Sequence, residues 1–169
     1  IITMSNTYKL KIITNVWIVG CGGIGSYAIA PILKLLKHGC ANPPIVKLID
    51  GDILEDRNLD RQLFNATQIG KNKAEALADS HRAFYPRIEV VPDYLDLFHE
   101  VVGTSVPNVI FCFADNHPCR KNVLQLCDTL ETTAILAGNA MTDEDAYIYK
   151  GKKFVGLNDP RVRFPEILT

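Results

Sequence analysis

Two segments of this chain concentrate residue types that could handle a phosphate. The first is Gly20-Cys21-Gly22-Gly23-Ile24-Gly25-Ser26. The second is Asp50-Gly51-Asp52-Ile53-Leu54-Glu55-Asp56-Arg57-Asn58-Leu59-Asp60-Arg61-Gln62. In the first, Gly20, Gly22 and Gly25 have the spacing G-x-G-x-x-G, between an apolar run and a helical pattern. Glycines allow a tight turn and close backbone approach. The helix start then offers free N–H groups and partial positive charge to an anion. In the second, Asp50 stands where a carboxylate commonly takes ribose hydroxyls in nucleotide-binding α/β folds. An Asp before a Gly is also an ordinary turn start; the glycine loop upstream favours the ribose role.

Three further charges change the chemistry from docking to reaction. Arg61 can fork onto two phosphate oxygens. Lys73, at an expected helix start after Gly70, supplies a point charge. Asp115, at an expected strand end, can hold Mg²⁺ through one carboxylate and waters. Displacement at phosphorus needs such groups, because negative charge builds on the transferring and leaving oxygens. A dehydrogenase, whose chemistry lies at the nicotinamide, has no such need. Taken singly, Arg61 and Lys73 read as solvated surface charges and Asp115 as a helix cap. Their convergence on one glycine loop is what favours function.

The elements that must position these residues alternate between strand and helix. Short apolar runs predict strands at Val16–Val19, Ile45–Ile49, Ile88–Val91, Asn108–Phe113 and Thr133–Ala137. Helical patterns cover Ile24–Lys37, Asn72–Phe84, a short Asp93–Val102 and His117–Leu130, the last opened by Pro118. The first helix is expected to bury Ile24, Ala28, Ile32, Leu35 and Leu36. The second is expected to turn Ala74, Leu77, Ala78 and Phe84 inward. Pro31 falls inside the first helix, where it should kink it or cost about 3 kcal/mol. Residues 146–150 and 153–155 predict a hairpin around Gly151. The fold class is therefore α/β: a Rossmann-like, doubly wound, mainly parallel sheet of order 3-2-1-4-5 with a C-terminal hairpin extension. Residues 1–155 form one nucleotide-binding domain, and 156–169 an extended tail. In that topology Gly20–Gly25 and Asp115 face each other across one crevice.

Composition bounds the partners. The chain has 169 residues, enough for one domain with a real core. Its net charge of -1 implies no electrostatic footprint for nucleic acid or an anionic membrane. No apolar run approaches the ~20 residues of a membrane span, and residues 1–14 lack a signal-peptide core. Met4 is either the natural start or an internal residue of a longer chain. The five cysteines, Cys21, Cys40, Cys112, Cys119 and Cys127, form no Cys-x-x-Cys pair. That pattern fits a reducing cytosol and argues against a zinc site. Cys112 and Cys127 read as core residues.

These motifs, in this order, resemble those of the ThiF/MoeB/HesA family, the adenylating domain shared with ubiquitin-activating enzymes. The family pattern G-x-G-G-x-G-S, D-x-D-x-(V/I)-x-x-x-N-L-x-R-Q, G-x-x-K and strand-end D-N is similar to Gly20–Ser26, Asp50–Gln62, Gly70-Lys71-Asn72-Lys73 and Asp115-Asn116. The resemblance runs from about residue 12 to 130. It implies ATP-dependent, Mg²⁺-assisted adenylation of the C-terminal carboxylate of a ubiquitin-like or sulfur-carrier protein, or of a peptide, with pyrophosphate leaving. It also implies a homo- or heterodimer. By analogy Gly20, Gly22, Gly23 and Gly25, with Asp52, belong to the nucleotide site, and Asp50 takes the ribose. Asn58, Arg61, Gln62 and Lys73 surround the phosphates, Asp115 binds the metal, and Arg61, Lys73 and Asp115 carry catalysis. Three features depart from the family. Its zinc-binding Cys-x-x-Cys pairs are absent, no clear catalytic-cysteine position exists, and no arginine precedes Arg57. The arginine that a partner's N-terminal helix often contributes is missing, replaced or supplied by another protein. The alternatives are a non-catalytic partner subunit of an activating enzyme and an NAD-dependent oxidoreductase.

Overall fold

A computed structural model describes residues 12–95, 106–139 and 144–155. Within them, seven strands form one sheet in the order β3-β2-β1-β4-β5-β6-β7. These are β1 Asn15–Val19, β2 Ile45–Ile49, β3 Ile88–Val91, β4 Val109–Cys112, β5 Thr133–Asn139, β6 Glu144–Lys150 and β7 Lys153–Val155. The first five run parallel in the expected 3-2-1-4-5 order. β6 and β7 add antiparallel at the β5 edge as the C-terminal hairpin. The helices are α1 Gly23–Gly39, α2 Lys73–His81 and α3 His117–Leu130. Asp93–Leu95, the start of the expected short helix, is not helical, and 96–102 lies outside the described residues. The same holds for the 156–169 tail.

Strand alternation splits the core between the two faces of the sheet. Val16, Ile18, Val46, Leu48 and Ile88 face α1 and α2, packing on Ile29, Leu33, Leu77 and Tyr85. Trp17, Val19, Ile110, Cys112, Ala134 and Leu136 face α3, packing on Val123, Leu126 and Cys127. Both expected core cysteines are thus buried. The central strands are apolar on both faces, as a sheet covered on two sides favours, apart from the buried Asn15 of β1 and Lys47 of β2, whose Nζ lies 5.3 Å from the Trp17 ring centroid.

Two helix faces differ from expectation. α1 buries Gly25, Ser26, Ile29, Leu33 and Leu36, while Leu35 is 68% exposed. The helix is apolar almost all round, so periodicity leaves its rotation open. The close approach of Gly25 to Gly20 settles it, because a Cβ at Gly25 would collide with the Gly20 carbonyl oxygen. α2 ends at His81, so Phe84 falls beyond it and stays exposed, with Lys37 Nζ 4.1 Å above its ring. Ala76 is buried in α2 instead.

Pro31 sits within the continuous α1, on its solvent face. The carbonyl it leaves without an i−4 partner is that of Tyr27, an exposed residue that water can reach. Pro31→Ala restores the missing donor. It should raise stability by about 1 kcal/mol, after the entropy that proline removes from the unfolded chain is subtracted. The check is a thermal melt, with an expected rise of roughly 2–4 °C.

Candidate active site

A cleft of about 680 Å³ opens at the C-terminal ends of β1, β2 and β4, beside the point where the strand order reverses. The glycine loop is its floor. Gly20 takes φ of +89°, and a Cβ there would stand 2.6 Å from the Ala114 nitrogen, so both conformation and space demand glycine. Gly20, Gly22 and Gly23 line the cleft. Gly25 does not; it lies beneath, where it lets α1 close on the loop. The N-cap Gly22 offers no side-chain cap, and the first turn of α1 has no acidic residue. The first N–H groups of α1 are therefore left for an incoming anion.

Asp50 ties this loop to the acidic segment. Its Oδ2 accepts the Cys21 N–H at 2.6 Å and its Oδ1 the Asp52 N–H at 2.8 Å. The turn-starting role and the cleft-lining role therefore coexist. Burial pushes the Asp50 carboxyl above the ordinary value, and the two N–H bonds pull it back.

Asn72 fastens the next layer. Its Nδ2 donates to the Asp50 carbonyl at 2.7 Å and the Asp52 carbonyl at 3.2 Å. Its Oδ1 accepts from Ala74 N–H and Glu75 N–H, capping α2. The following residue, Lys73, is thereby brought to Asp52. Their ion pair measures 2.8 Å, and Lys73 is only 6% exposed. The Lys73 ammonium, followed by the Tyr94 hydroxyl at 2.6 Å, holds the Asp52 carboxyl below the usual carboxylate range. Lys73 is thus not the solvated surface charge that a lysine usually is.

Arg61 and Gln62 hang over the glycine loop because Ser26 holds their segment. The Ser26 hydroxyl donates to the Gly23 carbonyl at 3.1 Å and accepts the Leu63 N–H at 3.0 Å. Arg61 lines the cleft exposed, with no ion pair among the described residues. Gln62 is 6% exposed, lies beside Gly22, and leaves Oε1 without a partner. A buried acceptor left this way normally finds a ligand or water. Asn58 departs from the expected arrangement. It is buried and outside the cleft lining, and its Oδ1 accepts the Glu55 N–H at 2.9 Å. It shapes the short 3₁₀ turn 56–58 that leads to Arg61, rather than presenting its amide to the cleft.

On the opposite wall, α3 is capped by Asn116, whose side chain accepts the Cys119 N–H at 2.8 Å. That frees the neighbouring Asp115, which lines the cleft exposed, from the capping role. Arg120 Nε donates to the Ala114 carbonyl at 2.9 Å and steadies this strand end. The structure therefore brings Gly20, Gly22, Gly23, Asp50, Asp52, Arg61, Gln62, Lys73 and Asp115 to one cleft, leaving out Gly25 and Asn58. Sequence reasoning missed Tyr94 and the holding role of Ser26. Tyr94 had no motif to mark it; Ser26 was visible in the glycine motif but carried no assigned contact.

Three thiols are shifted toward the neutral form, whereas the buried Cys112 thiol is lowered by its hydrogen bond with Cys119. Burial raises the Cys21 thiol well above its ordinary value and Cys127 to about 12. Cys119, which lines the cleft, is pushed up by its hydrogen bond to Cys112 and by burial.

Comparison with known proteins supplies the family. The ThiF family model matches residues 2–154. The chain belongs to the ThiF family. It is 29% identical to the adenylyltransferase and sulfurtransferase uba4 of Aspergillus terreus over 87% of this chain and 28% of that protein. It is 34% identical to human ubiquitin-like modifier-activating enzyme 7 over 44% of this chain and 7% of that protein. The chain therefore spans less than a third of either curated relative. The crystal structure of E. coli MccB has the same fold, with a TM-score of 0.66 at 23% identity, over 81% of this chain and 38% of that one. The segments singled out in the sequence at the glycine loop, after β2, at the start of α2 and after β4 all contribute lining residues to the cleft.

The Asp52–Lys73 pair has a definite pH signature. A carboxyl whose folded pKa lies below its unfolded value stabilises the fold above that unfolded value, about 4, and loses the contribution as pH falls through the folded pKa. Asp52→Ala should cost about 1–2 kcal/mol at pH 7, since it leaves Lys73 buried without its partner while solvent screens the half-exposed carboxylate. Urea melts at descending pH should show the gap between wild type and variant closing below about pH 4. A gap independent of pH would show that the ion pair does not stabilise the fold.

Proposed function

We propose that this chain binds Mg·ATP in the cleft and adenylates the C-terminal carboxylate of a ubiquitin-like or sulfur-carrier protein, or of a peptide. The observation that carries this is the meeting of Arg61, Lys73 and the exposed Asp115 around a glycine loop whose helix start takes no side-chain cap among the described residues. A binding-only site would need no such charges. Their retention also argues against a non-catalytic partner subunit and against an NAD-dependent oxidoreductase.

The residues fit a magnesium ion of the kind that phosphate chemistry uses. Asp115 offers a single exposed carboxylate with no competing partner among the described residues, and Mg²⁺ commonly takes one or two carboxylates, waters and substrate phosphates. When bound, the ion would neutralise phosphate charge.

The reaction follows from what the side chains can do. Gly20, Gly22 and Gly23 bring backbone against the phosphates, and Asp50 takes the ribose hydroxyls with the acceptor capacity its two N–H bonds leave over. Arg61 forks onto the outer phosphate oxygens, and Lys73 supplies a fixed positive charge that Asp52 aims. The incoming carboxylate oxygen forms a bond to the α-phosphorus. The bond from that phosphorus to the bridging oxygen breaks, and pyrophosphate leaves with its electron pair. The product is an acyl-adenylate. No proton need move and no side chain need attack, so positioning and charge neutralisation do the work. The chain is proposed to work as a homo- or heterodimer, with any arginine from another subunit adding to Arg61.

Calorimetry of the purified chain with Mg·ATP, and with NAD in parallel, tests the reading without knowledge of the carrier. Selective Mg·ATP binding that weakens in Asp115→Ala is expected, whereas NAD binding without ATP binding would overturn it. With a carboxylate substrate in hand, Arg61→Ala and Asp115→Ala should each lower ATP–pyrophosphate exchange by about 100-fold or more. Asp50→Ala should weaken nucleotide affinity more than it slows the chemical step. Wild-type exchange in either of the first two variants would refute the assigned roles.

A further inference from the structure

We propose that Tyr94, pinned between Gly51 and Asp52 at the end of β3, is the platform on which the base of the bound nucleotide stacks. The inference rests on the nucleotide reading above and adds to it the residue that reads the base.

The strand order sets the direction. The phosphate-binding loop follows β1, and Asp50 ends β2, the next strand in the sheet. A nucleotide with its phosphates on the loop and its ribose at Asp50 extends its base toward the following strand, β3. Tyr94 stands three residues past the end of β3 and lines the cleft there.

The ring is restrained on one side and open on the rest. A Cβ at Gly51 would come within 2.6 Å of the Tyr94 ring carbons, so the ring rests directly on the Gly51 backbone. The hydroxyl donates to Asp52 Oδ1 at 2.6 Å. Even so, Tyr94 is 64% exposed. An aromatic ring left this open covers no core and contributes little to stability by burial. Held at two points, it gives up little freedom when a flat ligand lies against it. Its hydroxyl titrates above the ordinary tyrosine value because it donates a hydrogen bond to the nearby Asp52 carboxylate, so the tether persists at neutral pH. Tyr27, also exposed in the cleft lining, stands on α1 just past the phosphate loop instead, with no hydrogen bond to its hydroxyl among the described residues. The contact also explains Gly51: its place in D-G-D is set by the ring above it and not by backbone strain.

The competing role is purely structural, with Tyr94 acting through Asp52 to place Lys73. The two roles separate by calorimetry of the whole chain with Mg·ATP and with inorganic tripolyphosphate, which has neither base nor ribose. Tyr94→Phe keeps the ring and drops the hydroxyl. Tyr94→Leu keeps apolar bulk without a π face, and Tyr94→Ala removes both. For a stacking platform, Tyr94→Phe binds ATP within about threefold of wild type, while Tyr94→Leu and Tyr94→Ala weaken ATP about tenfold, the size of one base–aromatic stack. Tripolyphosphate affinity stays the same in all four proteins. The proposal is overturned if Tyr94→Phe loses as much as Tyr94→Ala, if Tyr94→Leu binds ATP like wild type, or if tripolyphosphate weakens in step with ATP. Thermal melts confirm folding, and Tyr94→Leu decides the matter should Tyr94→Ala not fold. Wild-type protein that binds no ATP fails the nucleotide reading itself, a result distinct from ATP binding that ignores the ring.

Discussion

The half of the cleft built on β1 and β2 depends on one half-buried carboxylate. Asp50 accepts the Cys21 N–H from the glycine loop and the Asp52 N–H from its own segment. Two loops far apart in sequence are thereby fastened through the two oxygens of a single side chain. Burial makes the charge costly, and the raised pKa reports that cost. The two charge-assisted bonds offset part of it. Asn72 repeats the arrangement one layer out, reaching the carbonyls on either side of Gly51 while capping α2. Lys73 and Asp52 are then neighbours by construction, not by chance encounter of two long side chains.

This economy of contacts bears on the proposed reactivity. A site that stabilises charge in a transition state works best when its dipoles and ions are already in place. Here the loop N–H groups, the Lys73 ammonium and the segment carrying Arg61 and Gln62 are each held by a second residue. Ser26 holds the Arg61 segment, Asp52 holds Lys73, and Asn116 takes the cap that would otherwise have fallen to Asp115. Arg61 and Asp115 themselves stay exposed, with no ion pair among the described residues, which suits the substrate-facing roles proposed for them. The glycines of the floor divide in the same way. Gly20 and Gly25 are demanded by their neighbours' backbone, whereas a Cβ at Gly23 would meet nothing within 4 Å, which leaves that side of the loop open to a ligand.

Residue order alone settled much of this protein. The five parallel strands, their order and the edge hairpin follow from apolar runs, turn residues and the right-handedness of crossovers, all of which act locally. Motif order anticipated that Asp50, Arg61, Lys73 and Asp115 would line one cleft, since the segments after β1, β2 and β4 open at the same end of a parallel sheet. Tertiary structure decided what local pattern left degenerate. The rotation of the evenly apolar α1 came from the Gly20–Gly25 approach, and the end of α2 left Phe84 to solvent. Asn58 went to a backbone turn and not to the cleft because its amide found the Glu55 N–H three residues away. The burial of Lys73 and the tether of Tyr94 to Asp52 join residues 21 and 42 positions apart. No periodicity or spacing encodes such pairs; they exist only once β2, β3 and α2 have packed, because a hydrogen bond needs its two atoms at one place.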